Sequence, residues 1–422
     1  MKTMDYERFE LPNGLRILAA PMPTMRSVST AVLIGVGSRF EADRDAGSAH
    51  LIEHLMFKGT SKRPNSRAIS ETIERIGGII NASTDKETTA YWTKTAAEHL
   101  PISIDLLADM LQKSRMTPNE VSKERAVIVE ELGMSIDDPQ DWVHNLIDEA
   151  LWPNHPVGRD VGGTKESVMG LKRARLRSFQ STYYGPNNAL LVVAGGIDPK
   201  QVFRLAQRHF ESWEPVSPAP YSPVGAASSK ATARLEERPT EQIHLCLGFP
   251  GLPRFSPDRY ALDILATILG GSTTSRLFLE VRERLALAYD VHVYTTRLAD
   301  TGSVVIYAGV DPTRAHRAVS AIQHQIERLR RRSVSKDELT KTVDYMKGRM
   351  YLGLEDTHAV ASWLGAQELL MDKIISPEEL AAAMEAVTPR DIRRIANDLL
   401  DPAIAHFAAI GPNANAVAAA AA

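Results

Sequence analysis

Ala46–Lys58 reads AGSAHLIEHLMFK, and its reading decides how the rest of the chain is understood. It sets His50, Glu53 and His54 in the order H-x-x-E-H within a segment of helical pattern. Two histidines four residues apart leave one face of a helix, so both imidazoles can reach a single metal ion. Glu53 stands beside them, where a carboxylate can touch a metal-bound water without being a ligand. The order is the inverse of H-E-x-x-H and belongs to the zinc hydrolase signatures. The competing reading is a surface helix whose histidines merely share a face. Leu51, Ile52, Leu55, Met56 and Phe57 speak against it, because they make the helix buried or half-buried, where polar side chains need partners.

A catalytic zinc site takes a third protein ligand and keeps a position open. The source is TPNEVSKERAVIVEELGM, Thr117–Met134, a helix signal with Thr117 as N-cap and Pro118 in the first turn. Glu124 and Glu131 are seven apart and share a face, whereas Glu130 points roughly 100° away. Spacing alone does not choose between Glu130 and Glu131.

His50-Leu-Ile-Glu53-His54, then Leu-Met-Phe-Lys-Gly-Thr, then ERAVIVEE ending at Glu131, resembles the M16 (pitrilysin-type, inverzincin) metallopeptidases. The half-size branch that includes mitochondrial processing peptidase is the nearest in pattern. The likeness runs from FELPNGLRILAAP (Phe9–Pro21) to the last helices, so it spans nearly the whole chain. It implies one Zn2+ per chain held by His50, His54 and Glu131, Glu53 as general base and acid, and Glu124 as a further catalytic acid near the metal.

Composition narrows the alternatives. The 422 residues are 44% hydrophobic and 24% charged, a globular composition long enough for two domains. A net charge of -3 gives no electrostatic footprint for nucleic acid. No run of eighteen apolar residues occurs, so no membrane partner is expected. The single cysteine, Cys246, cannot close an intrachain disulfide and lies in an apolar strand-like run. With no apolar segment near the start, a cytoplasmic location is the expectation.

Along the chain, Phe9–Pro21 alternates about Pro12-Asn13-Gly14 as a hairpin, and Ser27–Val36 is a buried strand. Gly35 and Gly37 are not followed by Lys-Ser or Lys-Thr, which excludes a phosphate loop. An amphipathic helix ends at Gly77-Gly78, and IINASTDKETTAYWTKT follows as paired or long bent strands. By the M16 resemblance its Gly-Gly-x-x-Asn-Ala-x-Thr segment is an edge strand to which an extended peptide adds, with Asn81, Ala82 and Ser83 contacting substrate. Helices are expected over 97–112, 118–134, 141–151, 165–183 and 199–210, with a strand over 187–197.

Ser212–Ala233 carries the densest Pro, Ser, Gly and Ala run and reads as a linker, set at 216–232. It separates a zinc-binding catalytic domain, 1–215, from a homologous domain, 233–422. Behind it the pattern restarts: EQIHLCLGFPG matches SVSTAVLIGVG, and DRYALDILATILGG takes the slot of the metal helix. Asp263, Ala266 and Thr267 stand there in place of ligands, so the second half holds no zinc.

Arg282 and Tyr289 read from spacing as an exposed helix arginine and a strand-entry tyrosine. The resemblance, in the context S-R-L-x-x-x-x-R-E, makes them substrate-binding. The tail, NANAVAAAAA, shows no pattern and is expected to fray. The resulting expectation is an α+β fold of two similar halves, each a mainly antiparallel sheet with helices packed on it, as in the LuxS/MPP-like metallohydrolase fold. The M16 resemblance implies a zinc endopeptidase acting on extended peptides inside a dimeric chamber. Homodimerisation is expected, with a heterodimer of related half-size chains as the variant. The contrasting reading is a non-catalytic processing or scaffold subunit that needs a partner chain.

Overall fold

The structure is a computed structural model, and it describes residues 5–225, 231–371 and 373–421. Part of the expected linker, 226–230, lies outside the described residues. The chain opens with the expected hairpin, β1 (Glu7–Glu10) and β2 (Arg16–Pro21), then β3 (Ser27–Ile34) and the metal-motif helix α1 (Ser48–Met56). Helix α2 (Ser66–Glu74) leads into β4 (Ile79–Thr84) and β5 (Thr89–Ala96), which are paired strands and not one bent strand. Then come α3 (Leu100–Lys113), α4 (Pro118–Asp137) and α5 (Pro139–Leu151).

The single helix expected over 165–183 is two, α6 (Lys165–Gly170) and α7 (Arg173–Tyr183). Between them Leu171 takes an extended conformation and is fully buried, so its place in the core overrides helix continuity. The first half closes with β6 (Ala189–Gly195) and α8 (Pro199–Phe210). The second contains β7 (Ala233–Glu236), β8 (Ile243–Pro250), α9 (Arg259–Gly270), β9 (Ala288–Arg297) and β10 (Gly302–Val310). It ends with helices α10 (Ala315–Arg331), α11 (Lys336–Gly353), α12 (Thr357–Met371), α13 (Pro377–Glu385) and α14 (Pro389–Leu399), strand β11 (His406–Ile410) and α15 (Ala414–Ala421). The tail is therefore helical where fraying was expected. Alanine has the highest helix propensity, and Ala414 and Val417 are buried.

Two sheets carry these elements. The first runs β1-β2-β6-β3-β5-β4 and the second β7-β11-β8-β10-β9. Among the described residues, only β2–β6 and β7–β11 are parallel pairs. From β2 and from β7 onward the strand orders correspond, and α9 follows β8 as α1 follows β3, so the weak internal repeat is a duplicated architecture.

Packing divides the chain differently from a cut in the linker. One compact unit contains 1–132, 160–222 and 350–377; the other contains 133–159, 223–349 and 378–422. Each unit thus takes a helix from the other half of the sequence. In the first, Val360, Ala361 and Leu364 of α12 cover Leu18, Ala31, Leu33, Leu190 and Val192. In the second, Val143, Ile147 and Ala150 of α5 cover Cys246, Val305, Tyr307 and Ala408. The opposite face of the first sheet packs on α1, α3 and α8, which fixes the metal-motif helix in the core. Among the described residues, no helix is long and apolar enough to cross a membrane.

Candidate metal centre

Helix α1 is nine residues long, too short to persist on its own sequence preference, so its neighbours hold it. Gly47 precedes it with φ +88°, where a Cβ would lie 2.4 Å from the Gly162 carbonyl oxygen. With no side chain at that position to cap the helix, Glu41 does so from a distance. Its buried carboxylate accepts from the Gly47 N–H at 2.8 Å and the Ala49 N–H at 2.7 Å. Leu51, Ile52, Leu55 and Met56 are fully buried, and the histidine face is thereby locked in direction.

His50 and His54 pack edge to face with ring centroids 4.7 Å apart. Their ring nitrogens and a Glu131 oxygen lie within 4.8 Å of one another, the only such group of His, Cys, Asp and Glu found among the described residues. Of the two acids that spacing left open, Glu131 lies in this group and Glu130 does not. His54 Nε2 is 3.6 Å from Glu131 Oε2. Two ligands each about 2.1 Å from a tetrahedral ion stand about 3.4 Å apart, so the spacing fits a metal of zinc's size. The donor set fits as well: two imidazole nitrogens and one carboxylate, with the His50 Nδ1 buried and lacking a hydrogen-bond partner.

Glu124 lies behind His54 and not in the open site. Its buried carboxylate meets His54 Nδ1 at 3.3 Å through Oε2 and Lys58 Nζ at 3.0 Å through Oε1. With the proton on Nδ1, Nε2 keeps its lone pair for a metal. Burial opposes a charge on Glu124, but the hydrogen bonds from His54 and Lys58 outweigh it and hold the carboxyl below its ordinary range. Burial also opposes charge on both histidines. It carries His50 down to about 4, helped by His54, whereas on His54 it is outweighed by Glu124, Glu131 and Glu53. Burial pushes Glu53 up against the opposing Thr84 hydrogen bond and His54, with Glu131 adding to the rise. A buried carboxyl with a raised pKa, next to a cluster of ligand groups, is suited to exchange protons.

The remaining expected residues fall into two places. Asn81, Ala82 and Ser83 lie on β4, which ends the first sheet and pairs only with β5 among the described residues. Asn81 and Ser83 are exposed, and the Asn81 side chain accepts from the Ala82 N–H at 2.8 Å. Arg282 lies in the second unit on a π-helical stretch, Phe278–Arg284, and Tyr289 at the start of β9. The Arg282 guanidinium carbon is 5.1 Å from the Tyr289 ring centre, and Tyr289 is 76% exposed. In the second unit Asp263, on α9, is met by Arg297 and Thr295 of β9.

Glu41, Lys58 and Thr84 were not anticipated. Lys58 was within reach, since it follows His54 by one turn. Thr84 shares the strand face of Ile80 and Ala82, which pack against the core, and its hydroxyl donates to Glu53 Oε2. Glu41 gave no signal, because its contact depends on the left-handed turn at Gly47.

Comparison with known proteins agrees with this geometry. Residues 16–165 match the family model described as Insulinase (Peptidase family M16), and residues 170–346 match that described as Peptidase M16 inactive domain. An uncharacterized zinc protease of Streptomyces coelicolor is 37% identical over 93% of this chain and 87% of its own length. The chain belongs to peptidase family M16. It is of the half-size type, with one such domain of each kind. A second M16 relative, an uncharacterized zinc protease of Bacillus subtilis, is 36% identical over 97% of this chain and 99% of its own. The M16 fold is also seen in the crystal structure of a protease from Helicobacter pylori, with a TM-score of 0.91 at 24% identity, covering 97% of this chain and all of that one. A peptidase M16 inactive domain from Pseudomonas fluorescens gives 0.89 at 18% identity, over 97% and 98% of the two chains.

Proposed function

We propose that this M16 peptidase is a zinc-dependent endopeptidase that hydrolyses extended peptides, with His50, His54 and Glu131 holding the metal and Glu53 moving the proton. The convergence of those three ligand groups, with Glu53 beside them, carries the reading. Bound there, zinc supplies a Lewis acid and lowers the pKa of water from about 15.7 toward roughly 7. The chain's own residues do the rest. Glu53 takes a proton from the water that attacks the peptide carbonyl and delivers it to the departing amine. Glu124, held by Lys58, keeps His54 in the tautomer that presents Nε2. The edge of β4 at Asn81, Ala82 and Ser83 offers main-chain groups to an extended substrate, and Arg282 and Tyr289 are further substrate-binding residues. The same proposal includes a homodimer enclosing a chamber, or a heterodimer with a related half-size chain. It also includes a cytoplasmic location.

A second reading draws on the inactive-domain match over 170–346: the protein serves as a processing subunit that needs a partner chain. One experiment separates the two. The purified protein is loaded with zinc and given an unstructured fluorogenic peptide, with and without a chelator. Cleavage by the protein alone, abolished by the chelator, is expected. Glu53→Gln should keep zinc and lose roughly 10²- to 10⁴-fold in kcat, the range for a positioned general base. His50→Ala, His54→Ala and Glu131→Ala should lose zinc as well. Full activity in E53Q, or cleavage that needs an added partner chain and is unchanged by E53Q in this one, would defeat the first reading.

A further inference from the structure

We infer that Thr84 is a positioning residue for Glu53, and that through it a peptide paired on the outer edge of β4 sets the base as it binds. The inference rests on the endopeptidase reading above. Glu53 projects from α1 on a flexible side chain, yet the reaction needs one carboxylate oxygen aimed at a water. Among the described residues, a single hydrogen bond reaches that carboxylate, from the Thr84 hydroxyl to Oε2. Oε1 is left for the travelling proton.

Thr84 is the last residue of β4, opposite Thr89 in the register with β5, and the chain turns directly after it with the Asp85 N–H donating to the Thr88 carbonyl at 2.8 Å. Side chains alternate along the strand, so Ile80, Ala82 and Thr84 share one face while Ile79, Asn81 and Ser83 share the exposed one. Threonine is stiff at χ1, so the hydroxyl goes where the strand backbone goes. Among the described residues, that backbone is hydrogen-bonded into the sheet on one side only, by β5. A peptide adding to the other side would hold β4 from both sides, and Thr84 would carry that restraint to Glu53.

The duplicated unit repeats the device. There Thr295 and Arg297, on the corresponding strand β9, donate to Asp263 on the helix corresponding to α1, Thr295 at 3.4 Å. The strand-to-helix link is present in both halves, in the second from a threonine and an arginine to an aspartate.

The test compares wild type, Thr84→Val and Thr84→Ser, each zinc-loaded, on a long unstructured peptide able to pair along β4 and on a short one confined to the scissile bond. Expected for T84V is a loss of roughly 10- to 100-fold in kcat on the long peptide, with KM and zinc content unchanged. T84S, which keeps the hydroxyl, should stay near wild type. Wild type should turn over the long peptide with a higher kcat than the short one, and T84V should lose that advantage. The inference is overturned by a T84V kcat equal to wild type, by T84S falling as far as T84V, by a loss confined to KM, or by a long-to-short ratio that survives in T84V. If T84V does not fold, Thr84→Ala takes its place. Wild type that cleaves neither peptide overturns the endopeptidase reading together with this one, whereas active wild type with an equally active T84V overturns this one alone.

Discussion

On the proposed reading, the side chains around His54 act in order from the metal outward, and that order is the order of expected effects. Glu124 touches the ring nitrogen that faces away from the ligand group, and Lys58 touches Glu124. Neither belongs to the ligand cluster, so removing either should leave zinc binding possible but weaker. Glu124→Gln is expected to lower zinc affinity roughly 10- to 100-fold, the usual cost of losing a ligand's outer partner. Lys58→Met should weaken zinc binding and also stability, because it leaves a buried carboxylate with less compensation. Competition titration against a chelating dye, with a denaturation curve for each variant, measures both. Wild-type affinity in E124Q would show that His54 needs no such partner. That His50, Glu53 and His54 stand together on one helix was legible from spacing, because one helical turn fixes what shares a face. That Glu131 and not Glu130 joins the histidine pair in space was not legible, since it depends on how α4 is rotated against α1, which only packing decides.

At the scale of elements, the strands and most helices were readable because their apolar periods are strong, and failures came where tertiary contacts override local pattern. Leu171 breaks an otherwise continuous helix by going into the core, and the alanine-rich tail finds a surface on which to stay helical. The start of α1 belongs to the same class. Its cap is Glu41, six and eight residues ahead of the N–H groups it accepts, and a sequence search for a neighbouring cap meets only Gly47. Glu41→Ala would leave two N–H groups at a buried helix start without their acceptor. The expected cost is about 2 kcal/mol or more in a denaturant titration. Zinc affinity should fall as well, because the first turn carries the approach to His50. A variant with unchanged stability would mean that the helix start reaches other acceptors without strain.

At the scale of the molecule, the duplication was visible as a repeated strand pattern, and the two sheets with matching strand order bear it out. The exchange of helices was not visible, because the apolar stripes of α5 and α12 do not say which sheet they will cover. The exchange has a measurable consequence. A fragment of residues 1–215 contains the metal motif and all of the first sheet, but lacks α12, and so exposes Leu18, Leu33, Leu190 and Val192. It also loses Glu368, which pairs with Arg8 at 2.9 Å and Arg16 at 3.3 Å. Each large aliphatic side chain returned to water costs about 1.5–3 kcal/mol. Four of them, roughly 6–12 kcal/mol together, are comparable with the roughly 5–15 kcal/mol by which whole domains are stable. The fragment should therefore fail to fold cooperatively or to bind zinc tightly, although every ligand is present in it. Co-expression with 216–422 should restore both, since that piece returns α12 to the first sheet and receives α5 on the second. Circular dichroism melts and zinc titration of the fragment, alone and reconstituted, test this, and a sharp melt with tight zinc binding by 1–215 alone would show that the helix exchange is dispensable.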